Sequence, residues 1–432
     1  MTFHHDSTQI RRTRRLLIAA APALLAFSPA LGDMIFVDLG DLPGGPNNAI
    51  TTGVSNNELA CGKSSSGNGS EAFLYNGIGL VGLGDLPGPG FFSFAHGISG
   101  DGTTVVGFGD GFTAGSQQAF RWTQATGMVG LGDLPGGSFW SVARATSGNG
   151  SVVVGYSSSA NSGPNNFEAF RWTASAGMVG LGDLPGGIFE SKAYACSADG
   201  NVIVGTGWGT MALGREAFRW TPGAGMIGLG SLPGGARSEA FGVSADGTVV
   251  VGTSQSAQGR QAFRWTAQGG MAGLGDLPGG SFDSAALAAS GDGSVIVGRG
   301  KTAQGDRAFV WRPQQGMQDL RTFVISQGLA IVQGWTFAEA TAISADGRTI
   351  GGWGRNAAGQ TRGWMILNFP DPINIGLPNP DFNNDARVDA ADVGLLLAAW
   401  GPCFGDGECP CDLNGDGIVD GQDLAELLGA WG

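Results

Sequence analysis

The segment GMVGLGDLPGG stands at residues 127–137 of this chain and returns, letter for letter, at 177–187. Its second half, LGDLPG, recurs about every 47 residues through most of the sequence. The copies begin at Leu39, Leu83, Leu131, Leu181, Leu229 (as LGSLPGG) and Leu274. A catalytic motif is needed once, whereas a motif written at a fixed period is typical of a repeat architecture.

Three other elements recur in step with this motif. SADGTVVVG (244–252) has seven copies, and EAFRW (168–172) also has seven, of which the last is RGWMI at 362–366. The GMVGLG element has six copies after the repeats begin, and none follows 362–366. A related segment, MIFVDLG (34–40), instead precedes the first repeat. This offset is expected of a circular array in which the first strand completes the last unit.

Each unit contains four short runs of β-branched and aromatic residues bounded by Gly, Asp, Asn and Pro, which is the pattern of four strands joined by turns. Four strands in a unit of about 40–50 residues are typical of one β-propeller blade. The sequence therefore predicts an all-β fold, a seven-bladed β-propeller over residues 33–366. Residues 34–40 should pair with 362–366, because this closure removes the exposed edges of an open array.

The repeated positions are predicted to be structural. In EAFRW, Phe170 and Trp172 point to one face of the strand, and Ala169 and Arg171 to the other. Other copies carry Leu, Val or Met in place of Arg171, so this position is interpreted as packing through the aliphatic stem. The Asp of GDLPGG should accept backbone hydrogen bonds within its turn. This position is occupied by Asp41, Asp85, Asp133, Asp183 and Asp276.

The combination of EAFRWT, GMVGLGDLPGG and SADGTVVVG resembles the HAF repeat of secreted bacterial proteins, over roughly residues 34–366. That repeat is named for a His-Ala-Phe triplet, and this chain has Glu, Gln or Arg in place of the His in all seven copies. The resemblance implies an extracellular repeat protein and no particular reaction.

Residues 1–32 have the parts of an export signal peptide. Arg11, Arg12, Arg14 and Arg15 precede the apolar run LLIAAAPALLAF (16–27), and small residues follow before Asp33. The run is too short for a permanent membrane span. We expect cleavage near Gly32 and a bacterial protein, secreted or on the cell surface, with no transmembrane segment in the mature chain. Both the general secretory and the twin-arginine routes stay open.

The C-terminal segment, residues 381–432, is acidic and follows a proline-rich linker at 367–380. It contains nine Asp, two Glu and one Arg, in a chain whose formal net charge is −13. This composition argues against nucleic acid and for a cation as partner. DFNNDARVDAADVGLLLAAWG (381–401) and DLNGDGIVDGQDLAELLGAWG (412–432) align within it without a gap.

Both segments have the spacing of a calcium loop, which supplies oxygen ligands at positions 1, 3, 5, 7, 9 and 12. The predicted ligands of the second loop are Asp412, Asn414, Asp416, the carbonyl of Ile418, Asp420 and Asp423. Those of the first are Asp381, Asn383, Asp385, the carbonyl of Arg387, Asp389 and Asp392. Ala386 stands where the second loop has Gly417, and in a left-handed turn this costs on the order of 1 kcal/mol. We therefore predict two calcium sites, the first of them weaker.

Each loop is followed by an apolar stripe with helical spacing, such as Leu424, Leu427, Leu428 and Trp431. Two such loop–helix units resemble a type I dockerin, which implies a small α-helical domain, an F-hand pair, that anchors its host chain by binding a cohesin. In that family a Ser-Thr pair at loop positions 10 and 11 often contacts the cohesin. Here those positions hold Ala390-Ala391 and Gly421-Gln422, so we expect a cohesin-like or another cell-surface protein as the anchoring partner.

The chain has five cysteines. Cys61 and Cys196 are isolated within the repeats, and the other three cluster in the C-terminal segment. Export makes a disulfide there plausible, between Cys403 and either Cys409 or Cys411.

Two functions are compatible with this organisation. One is a non-catalytic binding or scaffold propeller, with an extracellular glycan as its ligand. The alternative is a polysaccharide-acting enzyme, a glycoside hydrolase or lyase.

Few residues have the sequence context of a catalytic group. His96 lacks the context of a catalytic triad, whereas Glu190, Asp283 and Glu339 are non-repeated acids that could meet at one face.

Six aromatic residues follow LPG in several units: Phe91, Phe92, Phe139, Trp140, Phe189 and Phe282. On a loop face they would form a ring of sugar-stacking platforms, whereas between blades they would belong to the core. The core interpretation is preferred, because strands with alternating side chains bury such residues.

Overall fold

The computed structural model describes residues 34–210 and 214–370, together with Phe382, Val388, 390–402, Cys411 and 418–429. Over the two long ranges, twenty-eight strands form seven four-stranded antiparallel sheets. Each sheet is one blade, and the predicted all-β propeller of seven four-stranded blades is confirmed. The predicted signal peptide lies outside the described residues.

The blades repeat the same four strands. The first strands are β2 (Ile50–Val54), β6 (Ser93–Ile98), β10 (Ser141–Thr146), β14 (Ser191–Cys196), β18 (Ser238–Val243), β22 (Ser284–Ala289) and β26 (Thr336–Ile343). The second strands are β3 (Ala60–Ser66), β7 (Thr104–Asp110), β11 (Val152–Ser157), β15 (Ile203–Trp208), β19 (Val249–Gln255), β23 (Ile296–Thr302) and β27 (Ile350–Arg355). The third strands are β4 (Gly69–Tyr75), β8 (Gln117–Thr123), β12 (Glu168–Thr173), β16 (Arg215–Thr221), β20 (Arg260–Thr266), β24 (Gly305–Arg312) and β28 (Thr361–Leu367). The fourth strands are β5 (Leu80–Gly82), β9 (Gly127–Gly130), β13 (Gly177–Gly180), β17 (Gly225–Gly228), β21 (Gly270–Gly273), β25 (Gly316–Asp319) and β1 (Ile35–Asp38).

The first strands are the innermost. Each contacts the first strands of both neighbouring blades, and β26 of blade 7 contacts β2 of blade 1, so the ring is complete. The other strands follow outward in chain order within each sheet. The seven inner strands therefore surround a central channel.

Blade 7 is closed by the N-terminal strand. β1 pairs antiparallel with β28, and Phe36 lies opposite Ile366. The Phe36 ring also packs on the rings of Trp335 (4.9 Å between centroids) and Phe337 (5.8 Å). The predicted pairing of 34–40 with 362–366 is thus confirmed, and it covers a third strand that would otherwise be an exposed edge.

The core lies between neighbouring blades. In blade 3, Phe170 packs against Val106 and Ala119 of blade 2, whereas Ala169 packs on the side of blade 4. Both side chains are fully buried. A large residue facing one neighbour and a small one facing the other let identical units interlock, which explains why this pair recurs.

The glycine of VVVG is required by a close approach of two backbones. Gly155 of β11 pairs with Ala143 of β10, and a Cβ built on it would collide with the carbonyl oxygen of Val142. The same collision arises in every other blade at the corresponding glycine. The other six are Gly62, Gly107, Gly205, Gly252, Gly298 and Gly352.

Two further repeated positions have clear partners. Asp85 accepts hydrogen bonds from the amides of Leu86 and Phe92 (both 2.8 Å), as the sequence predicts for the GDLPGG aspartate. The arginine of EAFRW does more than pack: Arg171 Nε donates to the carbonyl of Gly200 in the next blade (3.2 Å). This arginine therefore also links neighbouring blades.

Blades 6 and 7 are joined by an insertion in place of the LPGG turn. It contains α1 (Leu320–Ser326) and a 3-10 helix (Ala330–Gly334). Asp319 caps α1 by accepting a hydrogen bond from the Thr322 amide (2.7 Å). Buried side chains of both helices enlarge the core between these two blades.

The described C-terminal residues form two short helices and a strand pair. These are α2 (Ala390–Ala398), β29 (Gly401–Pro402), β30 (Ile418–Val419) and α3 (Gly421–Gly429). Leu396 of α2 and Leu427 of α3 are fully buried in one cluster with Val419 and Cys411. Within the described part of the chain, no helix is both long and apolar enough to cross a membrane.

Candidate binding face

The two ends of the channel differ in sequence. At one end, which we name the repeat face, the SADG-type turns join the first and second strands of each blade, and their sequence is similar in all seven units. At the other end, the variable face, the inner strands begin and the second strands finish, and the residues differ from blade to blade.

The repeat face is closed by a belt of hydrogen bonds around the channel. The backbone bonds, donor first, are Asn56 to Gly100 (2.9 Å), Asp101 to Gly148 (3.0 Å), Gly148 to Ala198 (2.9 Å), Ala198 to Ala245 (2.9 Å), Ala245 to Gly291 (2.9 Å) and Gly291 to Ala345 (2.7 Å). Between blades 7 and 1 the Ala345 amide donates instead to the side chain of Asn56 (2.8 Å). Every junction between blades therefore has its own bond at this end.

Each inner strand carries a β-bulge at the same place. In β10, for example, the pairing register shifts between Ala143 and Ala145, which leaves Arg144 unpaired. The seven residues at this position, named the bulge ring, are Thr52, His96, Arg144, Tyr194, Phe241, Leu287 and Thr341. A bulge redirects a side chain out of the regular alternation. Six different residue types occupy the seven positions, and only the neighbours Thr341 and Thr52 are the same.

Four consecutive members of the bulge ring contact one another. Arg144 Nη1 lies 3.2 Å from His96 Nε2 and 3.4 Å from His96 Nδ1. The Arg144 guanidinium also lies over the Tyr194 ring, 5.3 Å from its centroid, and that ring is 5.7 Å from the ring of Phe241. These contacts cross from blade 2 to blade 5, so they form an arc across the inner strands.

A second ring lies nearer the variable face and consists of the residues two positions before each member of the bulge ring. These residues are Ile50, Phe94, Val142, Lys192, Glu239, Ala285 and Glu339. In blade 4, Lys192 lies 2.9 Å from Glu190 and over the Phe167 ring at 5.0 Å. Charged and aromatic groups from different blades therefore meet at the channel mouth.

The carboxylates of blades 4 to 7 at this face are paired with cations. Arg215 lies 4.0 Å from Glu190 and 3.7 Å from Glu239, and Glu239 also pairs with Arg237. In the later blades, Asp283 lies 3.8 Å from Arg260, and Glu339 lies 3.2 Å from Arg299. Trp353 Nε1 also donates a hydrogen bond to Glu339 (3.2 Å).

Blades 1 to 3 present cations without such partners. Within the described residues, no carboxylate lies within 4 Å of Lys63 or Arg144. Lys63 Nζ lies over the Phe94 ring at 5.1 Å, and Arg144 Nε is buried without a hydrogen-bond partner. The inner strands are therefore electrostatically asymmetric, because among the described residues Lys63 and Arg144 lack the carboxylate partners that the cations of blades 4 to 7 have.

The pKa of His96, which lies between Lys63 and Arg144, is lowered by its surroundings. Burial lowers the pKa of His96 well below its ordinary value, and the charges of Arg144 and Lys63 act in the same direction. The imidazole is therefore neutral at pH 7 and accepts a hydrogen bond from Arg144. It also packs against the rings of Phe94 (4.5 Å) and Phe108 (5.5 Å). His96 is thus a packed and hydrogen-bonded residue of the channel wall.

A polar cleft of about 220 Å³ opens at the mouth beside blade 5. Arg237, Glu239, Thr253, Gln255 and Arg260 line it. Burial lowers the pKa of Arg260, and the neighbouring charge of Arg299 adds to this effect.

Sequence reasoning found part of this face. Glu190, Asp283 and Glu339 all stand at the variable end of the inner strands, and each belongs to an ion pair. Glu239 and Arg144 were missed, although both occupy repeat positions at which the amino acid changes from blade to blade. That variation within an otherwise uniform repeat is the signal that would have identified them.

The six aromatics after LPG are half-buried, and none belongs to the buried core. Phe92 packs on Phe108 (5.5 Å), Phe139 on Phe112 (5.9 Å) and Trp140 on Phe167 (6.4 Å). The preference for a core position was therefore wrong. These rings keep an exposed side because the LPG turns lie at the rim of the variable face.

Four of the predicted calcium ligands lie within the described residues: Ile418, Asp420, Asp423 and Asp392. Asp392 and Asp423 are fully buried at matching places in the first turns of α2 and α3. Asp392 accepts a hydrogen bond from the Phe382 amide, and Asp423 from the Asp420 amide (both 2.7 Å). Each carboxylate thus closes its own loop, and carboxylate oxygens suit calcium.

The other eight predicted ligands lie outside the described residues: Asp381, Asn383, Asp385, Arg387, Asp389, Asp412, Asn414 and Asp416. Over the described part alone, no group of three or more His, Cys, Asp or Glu side chains is placed to hold a metal. Cys411 is a buried free thiol, so the pairing of Cys403 with Cys411 is not formed. Cys403 and Cys409 also lie outside the described residues.

The strand pairing defines the class of this protein as a closed seven-bladed β-propeller with one uniform and one variable face. No protein-family model matches the sequence, and no match is found among curated proteins. Among solved structures, it is similar to TolB from Acinetobacter baumannii, at 12% identity and a TM-score of 0.40, covering 74% of this chain and 62% of that one. It is also similar to the oligogalacturonate lyase of Vibrio parahaemolyticus, at 11% identity and a TM-score of 0.45, covering 78% and 98%. A chain of the mitotic checkpoint complex has 13% identity and a TM-score of 0.43, covering 84% and 98%.

Proposed function

We propose that this protein is an exported, non-catalytic binding propeller that takes an extracellular glycan at its variable face. One observation carries the proposal: the repeat is uniform everywhere except around one end of the channel, where polar, charged and aromatic side chains from all seven blades converge. Binding sites are concave and contain a few placed polar groups among apolar ones. The half-buried rings at the rim supply flat surfaces on which sugar rings can stack.

We further propose that the C-terminal segment anchors the chain through calcium. The sequence duplication at 381–401 and 412–432 supports this, as do the two buried aspartates at equivalent positions of α2 and α3. Bound calcium would be held by the twelve loop residues predicted above and would fix the loops against the helices. The partner would be cohesin-like or another protein of the cell surface, and the segment at 1–32 would direct export.

The enzymatic alternative requires a carboxylate able to transfer a proton to the ligand. A general acid or base needs a pKa near the working pH and access to the reacting atom. Glu190, Glu239 and Glu339 each form an ion pair with a Lys or Arg side chain, so a ligand would have to displace that partner to reach the carboxylate. This arrangement favours binding over proton transfer.

A glycan array combined with a cleavage assay tests the proposal. We expect wild-type protein to bind a subset of glycans without degrading them. Replacing Lys192 by Ala removes a cation at the mouth and should weaken binding about fivefold to tenfold, since charge-assisted hydrogen bonds are the strong ones. Asn201→Ser, on the repeat face, copies the Ser at the same position of another unit and should change nothing. Cleavage that disappears in Glu190→Gln or Glu339→Gln would instead establish an enzyme.

Calcium titration of the full chain should show two binding events of different strength. Asp423→Ala should abolish the tighter event and Asp392→Ala the weaker one, because each removes the buried carboxylate of one loop. Ala386→Gly should tighten the weaker site about fivefold, the equivalent of about 1 kcal/mol. Isothermal titration calorimetry after chelator treatment measures all three. A single event, or two events unaffected by these changes, would remove the basis for calcium-dependent anchoring.

A further inference from the structure

The arc His96–Arg144–Tyr194 has the composition of an oxyanion site. Arg144 makes its hydrogen bonds to a neutral imidazole, and its Nε is buried with no partner. Arg144 is half-buried, and a charge that is partly withdrawn from water gains from an anionic partner, because desolvating an unpaired charge is costly. Among the described residues, the propeller supplies no carboxylate within 4 Å of this group. Its side chain is therefore available to an anion from solution.

The surroundings of Arg144 favour an anion that enters from the variable face. Lys63 of blade 1 and Lys192 of blade 4 flank the channel on that side, each over an aromatic ring. The opposite end is encircled by the hydrogen-bond belt of the repeat face, whose residues are similar in all units. The bulge at Arg144 directs the side chain out of the strand alternation. A ligand entering this mouth therefore meets the ammonium group of Lys63, and that of Lys192 with its partner Glu190, before it reaches the guanidinium.

We propose that the channel binds one oxyanion of an acidic saccharide, a carboxylate or a sulfate ester, against the guanidinium of Arg144. The saccharide part of this inference rests on the proposed function, whereas the oxyanion part rests on Arg144 and its neighbours alone. The planar guanidinium presents two parallel N–H donors to a carboxylate or sulfate, and Lys63 and Lys192 add positive charge. The sugar ring would lie against the aromatic residues nearer the mouth, such as Phe94 and Tyr156.

The inference predicts which probes bind and which variant abolishes binding. At low ionic strength, sodium D-glucuronate and glucose 6-sulfate should bind to the full chain, whereas glucose should not. Arg144→Gln should weaken both about tenfold or more, and Arg144→Lys should give an intermediate loss because it keeps the charge but not the paired donors. Arg348→Gln, at an exposed position of the repeat face, is the matched control because it removes a guanidinium outside the binding face, and binding should stay within about twofold.

His96 provides a local readout that does not depend on any variant folding, because it is the one histidine between residues 34 and 432. Its pKa is held down by burial and by the charges of Arg144 and Lys63. An oxyanion seated beside Arg144 offsets those charges, so the imidazolium becomes easier to form and the pKa of His96 must rise. An NMR titration of the histidine ring protons, with and without glucuronate, measures this shift.

The possible results separate the two proposals. Oxyanion binding that requires Arg144 and raises the pKa of His96 supports the site. The same result with inorganic sulfate, but with no glycan bound on the array, keeps the oxyanion site and overturns the glycan function. Binding of neutral glycans that leaves His96 unchanged and tolerates Arg144→Gln overturns the oxyanion site and keeps the glycan function. The glucuronate and glucose 6-sulfate arms decide between carboxylate and sulfate.

Discussion

A chain that lacks residues 34–40 should fail to form a stable propeller. The deletion removes β1 together with Phe36 and Leu39, whose side chains pack in the cores around blade 7. It also uncovers Trp364, Met365 and Ile366, which are fully buried in the intact molecule. At about 1.5–3 kcal/mol for each large apolar side chain that loses its burial, the loss reaches on the order of 5 kcal/mol or more. Most single domains are stable by only about 5–15 kcal/mol.

Urea unfolding followed by tryptophan fluorescence, with light scattering for aggregation, measures this effect. A chimera in which 35–38 are replaced by 127–130, the fourth strand of blade 2, is the matched control. It keeps the backbone pairing with β28 but loses the Phe36 ring, so it should fold with a loss of about 2 kcal/mol. Equal stability of the deletion variant and the wild type would mean that β1 does not hold the ring closed.

Gly155→Ala should also destabilise the protein strongly. The added methyl group meets the carbonyl oxygen of Val142, and it lies 3.0 Å from the Ala143 Cα and from the Phe170 ring. The obstructing atom belongs to backbone that is held by a bulge and by the next blade, so it cannot move aside as a flexible side chain would. Overpacking typically costs about 1–3 kcal/mol, and we expect about 3 kcal/mol or more here.

Gly223→Ala is the control for the same chemical change. Gly223 lies in an exposed turn with an ordinary φ, and no heavy atom comes within 4 Å of the added Cβ. Its replacement should change the free energy of unfolding by less than about 0.5 kcal/mol, with a slight gain from reduced freedom of the unfolded chain. Equal effects of the two substitutions in urea titrations would show that inner and second strands of a blade are not as close as described.

The fold could be predicted because the number of repeat copies and their offset correspond directly to the blades and to the closure of the ring. The seven copies of SADG and EAFRW, against six of GMVGLG and one stray copy at 34–40, define both the number of blades and the way the ring closes. The strand and turn pattern of each unit is compatible with the propeller as a whole, as expected of a sequence that specifies one structure. The packing of Phe170 against one blade and Ala169 against another followed from strand alternation alone.

The candidate site could be predicted only in part, since its geometry depends on bulges. Strand alternation is a period of two, and one inserted residue reverses the faces of everything after it. The sequence around Arg144 shows no glycine or proline that marks such a shift, so the residues that point into the channel could not be read from it. The contact of Arg144 with His96 joins residues of two blades, and no local pattern records it.

Both ends of the propeller's chain lie at the repeat face. Ile35 pairs with Leu367 where β28 finishes, and the Phe369 amide donates to the carbonyl of Arg348 in the SADG-type turn of blade 7. The last described residues of the propeller, up to 370, therefore leave blade 7 at the repeat face. An anchor formed by residues 381–432, as proposed above, would be attached at that end and would leave the variable face accessible to a ligand from the opposite side.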